Sequence, residues 1–270
     1  MVFITVQYRN PDDTQSFLQS LALVVDASLC EVVVVDNAPV EEGRHSIGGN
    51  YPFRVHVIEP GKNLYYWGGA AFAIDTIMKA TGRLPGWVIV CNNDVTLDGR
   101  DFVKRLSTID GTEFPVIAPS IVSVASGGDQ NPILRATPEF GKRFKWRIYD
   151  LAYPVAKLML SIHRAFATNK RVVSKADTKP AKIYAPHGAC VIFSSSFFER
   201  GGHLDTQVAM FAEELSLAET ARGLGLPIWY RPEFRLMHAE HSTTGNRLTR
   251  EKYRMEQMAR RRWYDLLSRN

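Results

Sequence analysis

A run of four consecutive valines is the strongest constraint on how this chain can fold. Residues Glu31-Val-Val-Val-Val-Asp36 have no polar side chain between the two acids. Because a β-strand directs alternate side chains to opposite faces, an unbroken apolar run requires both faces to be buried. Strands of this kind occur in parallel sheets that helices cover on both sides. The chain is therefore predicted to contain an α/β domain.

Short apolar runs alternate with helix-like patterns around this strand. Strands are predicted at 3–8, 31–36, 54–58 and 87–91, and helices from about 12 to 27 and from 68 to 80. Later in the chain, strands are predicted within 183–193 and at 228–230, and helices at about 210–223 and over the last twenty residues. This order predicts one domain with a mixed, mostly parallel sheet, whose binding sites lie at the carboxyl ends of strands.

The chain divides into segments 1–122, 123–182, 183–246 and 247–270, of which the second breaks the α/β rhythm. A content of 45% hydrophobic and 23% charged residues predicts a folded, soluble protein. Cys30, Cys91 and Cys190 are scattered and include no CxxC pair, so we expect reduced, structural thiols in a cytosolic protein. We expect neither a signal peptide nor a membrane-spanning segment.

Glycine-rich phosphate-binding loops are missing from the sequence. The first strand ends in Gln7-Tyr8-Arg9-Asn10-Pro11, without the G-x-G-x-x-G pattern of dinucleotide- and methyl-donor-binding Rossmann proteins. The G-x-x-x-x-G-K-[ST] pattern of P-loop NTPases is also missing. These two function classes are excluded.

Positive charge is concentrated in two places, although the net charge is only +5. Residues 140–182 contain eleven Lys and Arg against two Asp, a balance of +9, and residues 247–270 have a balance of +5. Such segregation indicates an anionic partner, such as a membrane surface, a phosphorylated substrate or nucleic acid. A basic face that is merely solvated is an equally good interpretation.

Carboxylates follow two of the predicted strands. Asp36 ends the valine strand, where it can accept hydrogen bonds from a base or ribose, or can simply form a turn. Asp94 stands just beyond the predicted strand at 87–91, after Asn92 and Asn93. A carboxylate there suits Mg²⁺ or Mn²⁺ chelated by a diphosphate, although a strand-terminating Asx turn is the plainer interpretation.

Two further groups stand in the second half of the chain. Glu213 and Glu214 lie at the head of a predicted helix, where acids favourably oppose the helix dipole and where one acid could serve as a general base. His238 follows a strand-like piece and could bind a metal or a phosphate, or be a structural histidine.

Taken in order, these pieces resemble a family 2 glycosyltransferase with the GT-A fold, in particular the branch that builds bacterial surface polysaccharides and includes rhamnosyltransferases. The resemblance spans residues 3 to about 242. It rests on Val6-Gln-Tyr-Arg-Asn-Pro11, Val33-Val-Val-Asp36-Asn37-Ala38, Asn63-Leu-Tyr-Tyr-Trp-Gly68-Gly69-Ala70, Asn92-Asn93-Asp94-Val95, His187-Gly188-Ala189, Gly201-Gly-His-Leu-Asp205, Phe211-Ala-Glu213-Glu214, and His238 with Ser242.

The chain departs from the family pattern in a few positions. Arg9 stands where Asn is usual, Tyr65 where Gly is usual, and Ala70 where Asn is usual. The acid pair is Glu213-Glu214 instead of Glu-Asp, and Ser216 replaces an acid. Ala70 bears on donor specificity, whereas the longer Glu214 can still act as a base if the backbone lies slightly farther back.

The resemblance implies an inverting glycosyltransferase. Segment 1–122 would bind the donor, and segment 183–246 would bind the acceptor and catalyse. Glu214, with Glu213, would be catalytic, and Asp94 and His238 would hold Mn²⁺ or Mg²⁺. The implied donor-binding residues are Tyr8, Arg9, Asp36, Asn63, Trp67, Gly69, Asn92 and Asn93.

A dTDP- or UDP-sugar is the expected donor, with dTDP-rhamnose as the first choice. The expected acceptor is a glycan or a lipid-linked glycan. A cytoplasmic protein is expected, peripheral at the inner face of the plasma membrane if Trp146, Tyr149, Tyr153 and residues 260–264 rest on anionic lipid. Nucleic acid is not expected as a partner. A nucleotidyltransferase and a non-catalytic sugar-binding relative are the alternative functions.

Overall fold

The computed structural model describes residues 1–38, 47–166, 179–208, 210–240 and 248–269, with no description of the side chains of 164–166. The strands are β1 (Val2–Gln7), β2 (Glu31–Asp36), β3 (Arg54–Ile58), β4 (Trp87–Asn92), β5 (Val95–Leu97), β6 (Val116–Ser123), β7 (Ala181–Ile183), β8 (Cys190–Ser194) and β9 (Ile228–His238). The helices are α1 (Pro11–Ala22), α2 (Tyr65–Thr81), α3 (Phe102–Ser107), α4 (Phe140–Tyr149), α5 (Tyr153–Phe166), α6 (Ser195–Glu199), α7 (Glu213–Gly223) and α8 (Arg250–Leu267). Ser242 lies outside the described residues.

All the described strands belong to one mixed sheet, in the order β3-β2-β1-β4-β8-β6-β9-β5, with β7 also paired to β9. The strands β3, β2, β1 and β4 are parallel to one another, and β8 is antiparallel to β4 and to β6. The sheet has helices on both faces, as the valine run predicts. The predicted α/β architecture is confirmed.

The valines of β2 contribute alternately to two hydrophobic cores. Val32 and Val34 pack in the core that contains Phe17 of α1 and Phe102 of α3. The neighbouring valines of β2 pack in the opposite core with Trp67 of α2 and Leu217 of α7. Because period-2 alternation fills both cores, the strand is anchored in a single register.

Several elements differ from the sequence-based expectation. Helix α1 ends at Ala22 instead of near residue 27, and β5, α3 and β6 were not predicted. Strand β9 continues to His238, although Pro232 indicates an end after residue 230. Its register against β6 shifts between the pairs Pro119–Arg231 and Ser120–Arg235, so Pro232 lies in an irregularity where no ladder N–H is needed.

The basic second segment contains α4 and α5, which pack against each other and against α8. No helix in the described residues is long and apolar enough to cross a membrane. A smaller core joins α7 and α8 around Trp263, whose indole N–H donates to the Tyr184 hydroxyl at 2.8 Å. The C-terminal basic helix is therefore an integral part of the fold.

Candidate functional site

The carboxyl ends of β1, β2 and β4 bring the first group of predicted site residues together. Gln7 pairs in register with Asp36, and Val6 pairs with Asn92. Because neighbouring parallel strands lie about 5 Å apart, residues predicted from distant motifs share one sheet edge. Tyr8 and the exposed Arg9 continue from β1, with the guanidinium 4.9 Å from the centre of the tyrosine ring.

Asp36 is buried at this edge and held by its neighbours. The Gln7 side-chain amide donates to its Oδ2 at 3.2 Å, and the backbone N–H of Ala38 donates to its Oδ1 at 3.0 Å. The second contact is the Asx turn that the sequence left open. Asp36 therefore has a fixed orientation at the carboxyl end of β2, as a residue that positions a ligand requires.

The start of α2 is attached to the same edge by hydrogen bonds. The Asn37 side chain donates to the carbonyl of Tyr65 at 2.8 Å, and Asn63 accepts from the N–H of Tyr65 at 2.8 Å. A Cβ on Gly69 would lie 3.1 Å from Val6, so glycine permits close packing of α2 on β1. Trp67 is buried in the core beneath the helix, so it supports this edge from inside.

The three residues of the Asn92-Asn93-Asp94 motif make different contacts. The Asn93 side chain donates to the carbonyl of Asn10 at 3.0 Å and to Thr14 at 3.1 Å, which fixes the start of α1. Asn92 ends β4 next to β1. Asp94 turns toward β9, where its Oδ1 lies 3.3 Å from Nε2 of His238.

His238 is oriented by two residues that the sequence analysis missed. Its Nδ1 lies 2.7 Å from Oε1 of Gln130, and the Gln130 amide N–H donates to Glu240 at 2.5 Å. Glu240 adopts a left-handed backbone conformation with φ 59°, which is costly for a non-glycine residue. Glu240 lies close to the His238 motif in sequence, whereas Gln130 comes from the segment that matched no motif.

The acid pair lies at the N-terminus of α7, as predicted. Phe211 and Ala212 adopt left-handed conformations, with φ 66° and 55°, immediately before the helix. The Gly188 N–H donates to Oε1 of Glu214 at 3.2 Å, and the Tyr66 hydroxyl donates to the Gly188 carbonyl at 2.9 Å. Oε2 of Glu213 is buried and has no hydrogen-bond partner among the described residues.

The surroundings raise the pKa of both acids. Burial raises the pKa of Glu213 well above its usual range, and repulsion from Glu214 raises it further. Burial also raises the pKa of Glu214, while backbone N–H groups, including that of Gly188, act in the opposite direction. Of the two carboxylates, that of Glu214 accepts a hydrogen bond from Gly188, whereas Oε2 of Glu213 has no partner among the described residues, so Glu214 is the better candidate for a general base.

His187 joins the acid pair to the Asp94–His238 pair. It precedes Gly188 in the chain, and its ring centre lies 5.7 Å from that of His238. Its Nδ1 accepts from the N–H of Ala189 at 3.1 Å. Burial, and then the proximity of His238, lower its pKa to about 4, so it is neutral at pH 7. The structure thus connects two groups that are about 24 residues or more apart in sequence through His187 and Gly188.

The predicted membrane contact of residues 260–264 is not supported by their positions. Arg260 donates to Asp150 at 2.6 Å, Arg262 donates to Asp205 at 2.7 Å, and Trp263 is fully buried. A helix pattern shows which residues share a face but not whether that face meets the protein or the solvent. These residues hold α8 in place.

Comparison with known proteins agrees with this architecture. No family model matches the chain. A curated relative, the low-salt glycan biosynthesis hexosyltransferase Agl10 of Haloferax volcanii, is 25% identical over 220 residues, which cover 81% of this chain and 60% of the relative. The chain thus spans less than two thirds of that relative's length.

Solved structures extend the comparison to the fold. GalNAc-T7, crystallised with UDP, GalNAc and Mn²⁺, superposes with a TM-score of 0.64 at 13% identity, over 99% of this chain and 47% of the other. S. aureus TarS 1–349 superposes with a TM-score of 0.54 at 13% identity, over 100% of this chain and 73% of the other. The site described above therefore stands on the GT-A fold of glycosyltransferases.

Proposed function

From this fold and site, we propose that the chain is an inverting glycosyltransferase that moves a sugar from a nucleotide diphosphate to a hydroxyl group of a glycan. The observation that carries the proposal is the position of Glu214. Its Oε1 accepts a hydrogen bond from the N–H of Gly188, the residue that follows His187 in the chain, and the ring of His187 lies beside that of His238. In this proposal, Glu214 is the base and the Asp94–His238 pair binds the diphosphate of the donor. The hexosyltransferase activity of the curated relative supports the same reaction class.

The donor is proposed to bind at the carboxyl ends of β1, β2 and β4. Asp36, fixed by Gln7 and Ala38, would accept hydrogen bonds from a uracil or thymine nucleotide. Tyr8, Arg9, Asn63 and Asn92 line the same edge, whereas Trp67, Gly69 and Asn93 shape it through packing and hydrogen bonds. The proposed donor is a dTDP- or UDP-sugar, with dTDP-rhamnose as the first choice, in surface polysaccharide synthesis.

The chemistry of the Asp94–His238 pair fits a divalent cation. The Glu240 carboxylate can only accept, so the Gln130 amide N–H faces it and the Gln130 oxygen faces His238. Nδ1 of His238 therefore donates to Gln130, and Nε2 is the nitrogen that can bind a metal ion. Nε2 lies 3.3 Å from Oδ1 of Asp94, so an imidazole nitrogen and a carboxylate oxygen face each other as two ligands of one cation would.

We propose Mn²⁺, or Mg²⁺, as the occupant of this pair. Imidazole together with a carboxylate suits Mn²⁺ better than Mg²⁺, which prefers oxygen ligands. The described residues contain no cluster of three or more His, Cys, Asp or Glu side chains that could hold a metal, so donor diphosphate oxygens and water would complete the coordination. When bound, the ion would neutralise charge that develops on the leaving diphosphate.

The proposed reaction is a single displacement with inversion. The acceptor oxygen forms a bond to the anomeric carbon from the face opposite the diphosphate. The bond between that carbon and the diphosphate oxygen breaks, and its electron pair leaves with the nucleotide. The hydroxyl proton passes to Glu214, whose Oε1 is held by Gly188.

A donor panel tests the proposal. Thermal melting of the protein with dTDP, UDP and their sugars, each with and without Mn²⁺, identifies nucleotides that bind only the folded state and raise Tm. We expect a metal-dependent shift for uridine or thymidine diphosphates that is lost in Asp94→Ala, followed by sugar release or transfer that is lost in Glu214→Gln. If no nucleotide shifts Tm, the proposed donor site is wrong.

The acceptor is proposed to be a glycan, including a lipid-linked one, with the protein in the cytoplasm and peripheral at the inner face of the plasma membrane. The exposed surface of α4 and α5, described next, supports this location.

A further inference from the structure

Helix α4 has an unusual surface for a helix of a folded protein. None of its residues is fully buried, and Phe140 and Phe144 are 73% and 53% exposed. The two rings stack on each other with their centres 6.2 Å apart, because residues four apart lie on the same face of a helix. An exposed phenylalanine pair of this kind is more typical of a contact surface than of a solvated face.

Helix α5 and the connection before it extend the apolar surface. Leu151 lies between the two helices, and Leu158 and Ile162 are again four residues apart on one helix. All three are exposed, with exposed fractions of 73%, 60% and 48% respectively. The two helices pack against each other, so these side chains belong to one connected part of the molecule.

All the Lys, Arg, Asp and Glu residues within α4 and α5 are positively charged ones. Their sequences contain six Lys and Arg and no Asp or Glu. Lys142, Lys145, Arg147 and Lys157 are exposed. Apolar side chains bordered by cations are the composition of helices that lie in the interface of an anionic membrane.

We propose that α4 and α5 dock this protein on an anionic phospholipid surface, with Phe140, Phe144, Leu151, Leu158 and Ile162 inserted among the acyl chains. Charge complementarity selects a membrane over a second copy of this chain, because two copies would bring like charges together. Arg260, Arg262 and Trp263, which the sequence pattern also suggested for this role, are engaged inside the protein.

The helices that carry the docking surface also border a cavity that leads towards the acid pair. A cavity of about 370 Å³ between α4, α5 and α8 is lined by Tyr149, Leu160 and Lys252. The Lys252 ammonium lies 5.0 Å from the ring centre of Phe211, which is two residues before Glu213. This last step rests on the proposed function: a membrane-bound acceptor would reach the base from this side.

Vesicle flotation tests the docking surface. Wild-type protein is expected to float with vesicles of equal parts phosphatidylcholine and phosphatidylglycerol, but not with phosphatidylcholine alone. Phe140→Ser/Phe144→Ser should lower the partition coefficient on the order of a hundredfold, because two apolar side chains no longer leave water. Lys142→Ala and Lys145→Ala should each lower it about fivefold. The matched control, Leu23→Ser/Leu29→Ser, changes side chains that are 67% and 59% exposed elsewhere and should float as wild type.

Flotation and catalysis are measured separately, so the two proposals fail separately. Nucleotide-dependent melting shifts should be the same in Phe140→Ser/Phe144→Ser and in wild type. If phosphatidylglycerol does not increase the flotation of the wild type, or if the serine variant floats as well as the wild type, the docking proposal is wrong even when nucleotides bind. Light scattering tests the alternative occupant. If the wild type is a dimer that the two serine substitutions dissociate, and the wild type does not float with vesicles, the surface contacts a second copy and the docking proposal is wrong.

Discussion

The Nε2 atom of His238 faces the Oδ1 atom of Asp94 across 3.3 Å because Gln130 holds the opposite side of the imidazole ring. The histidine comes from β9 and the carboxylate from the start of β5, and the two strands pair so that Val95 lies opposite His238. The pair is therefore formed by the pairing of two strands, while a loop residue, Gln130, holds the imidazole ring in its orientation.

Replacing Gln130 should weaken metal binding without unfolding the protein. Gln130→Leu removes the acceptor on Nδ1 and frees the ring to change tautomer, so we expect a 10- to 100-fold weaker Mn²⁺ affinity in the presence of nucleotide diphosphate. Isothermal titration measures the affinity, and ¹⁵N chemical shifts of His238 report the tautomer. Gln207→Leu, at an exposed position, is the control. An unchanged tautomer and affinity in Gln130→Leu would contradict the proposed role.

Glu213 and Glu214 should respond differently to amide substitution. Glu214→Gln is expected to lower kcat by 10²- to 10⁴-fold, the usual effect of losing a general base. Glu213→Gln should retain far more activity and leave the acidic limb of the pH–rate profile in place, because Glu214 and its hydrogen bond from Gly188 remain. That limb should lie above the pKa of a free glutamate, since burial raises the pKa of Glu214. An activity loss in Glu213→Gln equal to that in Glu214→Gln would reverse the assignment.

The same two acids should make the protein less stable as the pH rises. Their pKa values are raised by folding, so the folded state holds more protons than the unfolded state above about pH 4.3. Their contribution to the free energy of unfolding is complete below that pH and is lost as the pH rises through the folded pKa values. Urea denaturation across pH should show wild type losing stability relative to Glu213→Gln/Glu214→Gln. A difference that grows in the opposite direction would show that the acids are not buried as described.

Gly188→Ala should damage catalysis more than stability. A Cβ at this position would lie 2.9 Å from Oε1 of Glu214 and 3.4 Å from Oε1 of Glu213, so the carboxylates must move. A displacement of about 1 Å can cost on the order of 100-fold in rate, and we expect a loss of kcat of about 10- to 100-fold with a Tm close to that of wild type. Gly141→Ala, where a Cβ would meet nothing within 4 Å, is the matched control. Wild-type kcat in Gly188→Ala would show that Glu214 is not held by this contact.

Arg262 and Arg261 are neighbours on α8 whose replacement should have effects of very different size on stability. Arg262 pairs at 2.7 Å with Asp205, which is 4% exposed, whereas Arg261 is exposed. Arg262→Ala leaves a buried carboxylate without its cation, which is expected to cost about 3–5 kcal/mol of unfolding free energy. Arg261→Ala should change it by less than about 0.5 kcal/mol. Urea denaturation of both variants distinguishes the two arginines, and equal values would mean that the ion pair contributes nothing.

The sequence was most informative where the type of a residue restricts where it can lie in the fold. The four valines of β2 predicted burial on both faces, and Asp36, Asp94 and the acid pair followed from their positions at strand and helix ends. The two departures from the family motifs at Arg9 and Tyr65 both have a φ of 59°. Asn and Gly, the family's usual residues at these positions, tolerate that conformation best, so the backbone shape persists at a cost of about 1–2 kcal/mol per residue.

Contacts between distant segments were beyond prediction from one sequence. Gln130 carries no motif, and it acquires its role only because β6 and β9 are neighbours in the sheet. Trp263 and Arg262 looked like an exposed basic surface, since an amphipathic pattern does not identify what its face packs against. The partner residues Tyr184 and Asp205 lie 79 and 57 positions away.

The burial of Trp263 also determines when the protein can finish folding during its synthesis. The strands β1 to β4 lie within the first 92 residues and can pair early, but β8 must join β4 from about a hundred residues farther along the chain. Tyr184 remains uncovered until residue 263 has emerged from the ribosome. At translation rates of about 5–20 residues per second, the half of the molecule that holds Glu214 stays open for several seconds, a period when chaperones have access to it.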